Sequence, residues 1–195
     1  MYAPEYPIRT ERLLLRPLTL DDAAPMLVYK SDADAVRYVP YGQLSLSDIE
    51  ERIQTRWSTT RFEKQDDAVC LGIEERETGR LVGDVVLFWR SERDREGEVG
   101  YILDPAQSGK GYATEAVAAL LELGFEGLGL HRIAARIDER NTSSARVVDR
   151  LGFRQEARLV ESSWFKEEWT TLLIYGLLDR EWRAGRAAGV GVHPS

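Results

Sequence analysis

Apolar positions along this chain switch repeatedly between a period of two and a period near four, and the switches mark out its elements. Arg12-Leu13-Leu14-Leu15-Arg16-Pro17-Leu18 predicts an apolar-rich first strand ended by proline. Thr19, followed by Asp21 and Asp22, predicts a helix start, because acidic residues in a first turn favour the positive helix N-terminus. A second helix is predicted from near Ser47. Ser47-Asp48-Ile49-Glu50 has capping-box spacing, and Ile49, Ile53 and Trp57 recur on one face. Residues 69–73 and 81–89 read as strands flanking Glu77-Thr78-Gly79-Arg80, hence a hairpin.

The charged stretch 91–97 predicts a loop, and Glu98-Val99-Gly100-Tyr101-Ile102-Leu103 a strand stopped by Asp104-Pro105. From Thr114 the pattern turns helical: Val117, Leu120, Leu121, Gly124, Phe125 and Leu128 fall on one face, with Gly127 and Gly129 at its end. Residues 132–137 read as a strand, 141–150 as a short helix, 153–165 and 169–177 as strands, and 179–188 as a last helix before a frayed tail, 189–195. There is no internal repeat. Helices interleaved with strands and hairpins predict one mixed sheet covered by helices.

Length and composition narrow this picture. A chain of 195 residues suits one compact domain, and its 43% apolar share is that of an ordinary soluble protein. No stretch is long and apolar enough to cross a bilayer, and the start carries no basic segment followed by an apolar run. The single cysteine, Cys70, sits in an apolar run and reads as a buried, inert thiol. Together these favour a cytoplasmic protein with no membrane partner. The net charge of −7 argues against a nucleic-acid partner and would suit a cationic acceptor such as an amine. The only histidines, His131 and His193, lack ligand spacing, so no metal is expected.

The most informative segment is Gln107-Ser108-Gly109-Lys110-Gly111-Tyr112-Ala113. It lies between a strand ending at Leu103 and a helix beginning near Thr114, where free N–H groups and the helix dipole can receive an anion. Gly109 and Gly111 allow close backbone approach, Ala113 keeps the helix entry small, and Lys110 can add a positive charge. Taken alone, the loop fits a glycine-rich connector equally well. It is not a Walker loop: Asp104 stands where the first glycine is required, and Gly111 where Ser or Thr is. It is not a dinucleotide fingerprint, since Thr114 replaces the third glycine.

In its wider context the chain resembles the GNAT superfamily of acetyltransferases, and within it the branch of ribosomal-protein N-terminal acetyltransferases of the RimJ/RimL type. The shared segments are Thr10 to Pro17, Gly100-Tyr101-Ile102-Leu103, Gly109-Lys110-Gly111-Tyr112-Ala113-Thr114-Glu115-Ala116, His131-Arg132-Ile133, and Asn141-Thr142-Ser143-Ser144 leading to Leu151-Gly152-Phe153. They occur in the family's order, over a single acetyltransferase domain spanning 8–182 and followed by a tail, 183–195. The resemblance implies an α+β fold: a mixed, mostly antiparallel sheet of six or seven strands, flanked by helices and splayed beside the Gly100-to-Leu103 strand.

The resemblance further implies that acetyl-CoA lies in that opening as the acetyl donor. Its pyrophosphate would rest on the N–H groups of Gly109 to Ala113, in a cofactor-binding set of Ser108, Gly109, Lys110, Gly111, Tyr112, Ala113 and Thr114. The backbone of Ile102 and Leu103 would pair with the pantetheine arm, and Asn141 would hydrogen-bond it, unless Asn141 serves as a helix cap. Ser108 stands where the family's loop carries Gln or Arg, with Gln107 one residue early. The reaction implied is direct acetylation of a primary amine, with a protein or peptide N-terminal α-amino group as the acceptor that the branch favours. A small-molecule amine (an aminoglycoside, a polyamine or an amino-acid derivative) as acceptor and a weakly catalytic acyl-CoA-binding regulatory domain are the alternatives.

For catalysis, Glu98 is the candidate base, with Asp84 as a weaker one. A backbone N–H near Leu103 would polarise the thioester carbonyl. The tyrosine that many family members place four residues before the glycine of Leu-Gly-Phe is Val148 here, which leaves the Ser144 hydroxyl to protonate the departing thiolate. The aromatics of the last hairpin, Trp164, Phe165 and Trp169, read first as ordinary core or homodimer-contact residues and otherwise as the shape of an acceptor slot, and its Glu161, Glu167 and Glu168 are expected to attract a cation.

Overall fold

The computed structural model describes residues 1–188, so the expected frayed tail lies outside the described residues. The chain runs through β1 (Ile8–Arg9), β2 (Leu13–Pro17), a 3-10 turn (Leu20–Asp22), α1 (Ala23–Lys30) and α2 (Leu46–Thr55). It continues with β3 (Ala68–Glu75), β4 (Arg80–Ser91), β5 (Glu96–Leu103) and a second 3-10 turn (Pro105–Gln107). Then come α3 (Tyr112–Glu122), a π-helical turn (Leu123–Gly127), β6 (Arg132–Asp138) and α4 (Thr142–Arg150). The last elements are β7 (Arg154–Phe165), β8 (Glu168–Leu178) and α5 (Asp179–Ala187).

All eight strands join one sheet in the order β1-β2-β3-β4-β5-β6-β8-β7. Neighbours are antiparallel except β5 and β6, whose parallel pairing follows from the long crossover through α3. The count exceeds the expected six or seven because β1 is only two residues long, too short for alternation to reveal. It is held by Ile8 opposite Leu15.

Helix starts also differ from the sequence reading. The second helix is capped by Ser45, whose hydroxyl accepts from the Asp48 amide while the Asp48 carboxylate accepts from the Ser45 amide. The capping box is therefore Ser45 with Asp48, two residues earlier than Ser47 with Glu50. Tyr112, not Thr114, opens α3, because Gly111 in a left-handed conformation turns the chain directly into the helix.

Alternation along the strands builds two cores. Leu13, Leu15, Val69, Leu71, Val85, Leu87, Val99 and Ile133 face α3 and α5, whose Val117, Leu120, Leu121 and Trp182 complete that layer. The other face, carrying Cys70 and Ile102, packs on Met26, Tyr29, Ile49 and Ile53 of α1 and α2. Among the described residues no helix is long and apolar enough to cross a membrane.

The second core contains a buried charge. Lys30 Nζ is 2.6 Å from Asp84 Oδ2 and 2.9 Å from the Tyr41 hydroxyl, and its side chain is fully buried. The rings of Tyr29, Tyr41 and Trp57 stand 4.6–5.3 Å from the ammonium. Burial pulls the Lys30 ammonium toward neutrality, but the Asp84 carboxylate outweighs it and holds the charge. The Tyr29 hydroxyl donates to Asp84 at 2.9 Å, and Cys70 Sγ lies 3.8 Å from the other carboxylate oxygen. Burial and the adjacent carboxylate push the Cys70 thiol well up, which keeps it inert, as its apolar surroundings suggest.

Removing one partner of such a pair strands the other. Asp84→Ala should lower unfolding free energy by about 3–5 kcal/mol. Replacing both partners with Lys30→Met and Asp84→Leu should cost less than that single change, as read from urea midpoints. A single variant as stable as the parent would show that the pair is immaterial to the fold.

Candidate active site

Strands β5 and β6 pair only at Glu96 with Arg132, Gly97 with Ile133, and Glu98 with Ala134. Beyond Glu98 they diverge, although each keeps its outer neighbour. β5 remains registered with β4 to Leu103 opposite Gly83, and β6 with β8 to Asp138 opposite Leu172. Residues 99–103 of β5 therefore have no partner on the β6 side, and the sheet opens as a wedge. A cleft of roughly 1560 Å³ fills this wedge and reaches both faces of the sheet. Its lining includes Glu98, Ile102, Leu103, Ser108, Gly109, Gly111, Tyr112, Ala113, Thr114, Asn141 and Ser144. The fold thus brings all the sequence-predicted site residues to one cavity except Lys110, which projects from the same loop.

The loop at the cleft's α3 end has the makings of an anion cradle. Gly109 and Gly111 sit at φ +82 and +80, where a side chain is strained, although a Cβ on Gly109 would meet nothing. At Gly109 glycine is required for the turn and not for space, whereas a Cβ on Gly111 would also stand 3.3 Å from Arg12 Nη2. The Ser108 amide is spent on Pro105, whereas among the described residues the amides of Gly109 to Thr114 have no protein acceptor. Two further donors join them: Arg12 Nη2 and Thr114 Oγ1 are buried without a hydrogen-bond partner.

Arg12 stands 5.1 Å from the centroid of the Tyr112 ring and donates through Nη1 to the Lys110 carbonyl at 2.8 Å. Glu115 fixes it from below at 2.7 Å through Nε, while also accepting from the Arg12 amide and the Thr10 hydroxyl. Burial pushes the Glu115 carboxyl up. The hydrogen bonds from Thr10 and Arg12 outweigh that and hold it below the usual carboxylate range. Gln107 is a brace: it is buried, and its carbonyl oxygen takes the Lys110 ammonium at 2.6 Å. This explains how a glutamine one residue early is used without reaching the cleft.

On the α1–α2 face of the wedge, Glu98 follows the expected alternation with Gly100 and Ile102, and its carboxylate meets Arg90 Nε at 3.0 Å. Asp84 lines the same face, but it is buried and held by Lys30 at 2.6 Å and by the Tyr29 hydroxyl at 2.9 Å, which ties it to the core. On the far wall Asn141 caps α4, its side-chain oxygen accepting from the Ser144 amide at 3.1 Å and the Ser143 hydroxyl at 2.8 Å. Its amide nitrogen is left over, so the cap role and a ligand role are compatible. Val148 is fully buried.

In the sequence Tyr101 carries only the signal of a strand aromatic, yet it lines the wedge and its hydroxyl donates to the Ser144 carbonyl at 3.3 Å. Burial pushes that phenol up to about 12, so it stays protonated. Arg12 also gave no direct signal of a site role. It lies 103 residues from Glu115 in sequence, and only the packing of β2 on α3 joins them.

Chemically, the wedge offers an exposed strand edge for an extended ligand, orphan donors at one end for an anion, and a carboxylate at the other for a proton. Among the described residues no group of His, Cys, Asp and Glu side chains is arranged to hold a metal.

The sequence profile of the acetyltransferase (GNAT) domain matches residues 12–154. An uncharacterized N-acetyltransferase of Bacillus subtilis (strain 168), YnaD, is 31% identical over 175 residues, covering 90% of this chain and 98% of that protein. The spermidine N(1)-acetyltransferase of Escherichia coli (strain K12) is 25% identical, covering 87% of this chain and 88% of its own. A crystal structure of an acetyltransferase (GNAT family) from Bacillus anthracis superposes with a TM-score of 0.79 at 28% identity, covering 93% of this chain and 100% of that one.

The Glu115–Arg12 brace carries a pH signature. Because Glu115 titrates lower in the folded chain than the ordinary value of 4.5, its ionised form stabilises the native state above that pH. The contribution is lost as pH falls through the folded value. In Glu115→Gln the deficit in melting temperature relative to the parent should be largest near neutrality and shrink on acidification below about pH 4. A deficit constant from neutral to acid pH would contradict the brace.

Proposed function

The chain belongs to the GNAT family of acetyltransferases and is an N-acetyltransferase. From that premise we propose that it moves an acetyl group from acetyl-CoA to a primary amine by direct transfer. The observation that carries the choice of donor is the wedge itself. Its unpaired β5 edge runs from Glu98 toward a loop whose free amides, with Arg12 Nη2 and Thr114 Oγ1, form a site for a diphosphate.

In this reading Gly109 to Thr114, with Ser108 and Lys110 at the rim, hold the pyrophosphate. The backbone of Ile102 and Leu103 and the side chain of Asn141 hold the pantetheine arm. Acetyl-CoA supplies an acetyl group activated as a thioester. Glu98 takes the proton of the acceptor ammonium, directly or through a water, so that a neutral nitrogen forms the new C–N bond as the C–S bond breaks. The Ser144 hydroxyl gives its proton to the thiolate sulfur and regains one from the nitrogen, which sheds a proton as it becomes an amide; Tyr101 presents a second hydroxyl on the same wall. A backbone N–H near Leu103 polarises the carbonyl, a task that needs no particular side chain.

The motif set of the RimJ/RimL-type branch supports a protein or peptide α-amino group as acceptor. The relation to a spermidine acetyltransferase favours the second reading, a small-molecule amine.

Two variants test the assignment. Glu98→Gln should lower turnover about 100-fold or more while calorimetric affinity for coenzyme A is retained; full activity across pH would reject Glu98 as the base. Gly111→Trp should abolish coenzyme A binding by filling the cradle, and unchanged binding would overturn the site.

A further inference from the structure

The wedge is arginine-rich in a chain whose overall charge is negative. Nearly every carboxylate along its lining is already held by a cation. Asp84 is held by Lys30, Glu96 by Arg132, Glu98 by Arg90 and Asp138 by Arg140, each at 2.6–3.0 Å. The exception, Asp34, sits in the exposed loop at the mouth.

Among the described residues, cleft-lining Arg146 and Arg150 on α4 have no such partner, nor, on the Glu98 side of the sheet, do Arg56 at the exposed end of α2, Arg52 and Arg136. The Arg52 side chain projects from α2 beside the buried stripe of Ile49 and Ile53. It lies 5.2 and 5.8 Å from the ring centroids of Tyr41 and Trp57, which also line the cleft. Arg136 lies on β6 two residues beyond the last pairing with β5, so it stands across the opening. Ala135 and Ile137 beside it belong to the opposite core, which directs Arg136 to the same face as Glu98. Among the described residues neither side chain makes an ion pair or a hydrogen bond. Beneath them, Lys30 is already matched by Asp84, so nothing in the floor neutralises them.

Guanidinium groups without a protein acid, facing the place where the amine must meet Glu98, constitute a carboxylate receptor. We propose that the acceptor is a primary amine that also carries a carboxylate, bound by Arg52 and Arg136 while its nitrogen faces Glu98. This rests on the acetyl-transfer reading and narrows its acceptor. It also reverses the inference from net charge, because the surface is acidic while the cavity is not. The hairpin acids do not restore a cationic preference: Glu168 is held by Arg140 at 2.8 Å, and Glu161 and Glu167 point into solvent.

The chemistry has two sources, a free amino acid or a peptide with an acidic residue next to its N-terminus, and matched pairs separate them. Thiol release from acetyl-CoA would be compared for glutamate with its diamide, for peptides bearing Glu or Gln at the second position, and for spermidine. The expected result is a kcat/KM at least about 10-fold higher for the acid than for its amide in one of the two series, with spermidine poorest. That acid-to-amide ratio should collapse toward one in Arg52→Gln and in Arg136→Gln, and Arg136→Glu should shift preference toward spermidine. A parental ratio near one, a preference for spermidine, or a ratio that survives both substitutions would overturn the proposal.

Absence of thiol release with every amine would instead overturn the transfer reading. In that case calorimetric binding of the Glu peptide and of glutamate to the coenzyme A complex, and its loss in Arg136→Gln, still decides the carboxylate site.

Discussion

The structure turns on one interrupted contact, the parallel pairing of β5 with β6 that stops after Glu98 and Ala134. Sheet twist rotates neighbouring strands relative to each other, and here each of the two central strands stays bonded to its outer neighbour for its whole length. The inner edges cannot both follow, so they part. An unpaired strand edge inside a protein is costly unless something satisfies it. That requirement links the fold to a ligand that can lie along the edge. The helix that forces β6 to run parallel, α3, also starts at the open end of the wedge and brings its free amides there. Opening, cradle and crossover are one device.

Electrostatics divides the cavity into three zones. At the cradle, Glu115 is used up in fixing Arg12, and Arg12 Nη2 and Thr114 Oγ1 are left without a partner beside Gly111. In the floor, Lys30 and Asp84 cancel within an aromatic box and contribute to the core. On the Glu98 face, Glu98 shares Arg90, while Arg52, Arg56 and Arg136 are left over. None of this is visible in the overall charge, because the exposed acidic residues outnumber the cavity's cations without entering it. The hairpin tip docks outside the cavity, where Lys166 donates to the carbonyls of Val36 and Arg37 in the loop after α1, and Trp164, Phe165 and Trp169 do not line the cleft. It also leaves the edge-to-face pair Trp164 and Trp169 largely exposed.

Much of this was legible in the chain as letters. Alternation located all the longer strands, glycine and proline located the turns, and the spacing of Gly109, Gly111 and Ala113 marked the loop. Misses fell where local signals were too short or ambiguous. The two-residue β1 has no period, and both Ser45 and Ser47 resemble caps until the path of the preceding loop selects one. Tyr101, read as a strand aromatic, is distinguished only by the divergence of β6, which leaves its hydroxyl to find Ser144 across the gap.

The sequence by itself determined the period of each element, the sites where the backbone can turn left-handed, and the order of motifs that marks the family. These are properties of neighbours along the chain. Only the tertiary structure decided which charges are spent and which are free. Glu115 meets Arg12, and Lys30 meets Asp84, across separations of 103 and 54 residues. Composition cannot report such cancellation, because Coulomb energy depends on distance and burial and not on the number of charges. Arg52 and Arg136 stand out for the same reason: with Arg56, they are the arginines on the Glu98 face that packing left lining the wedge without an acid.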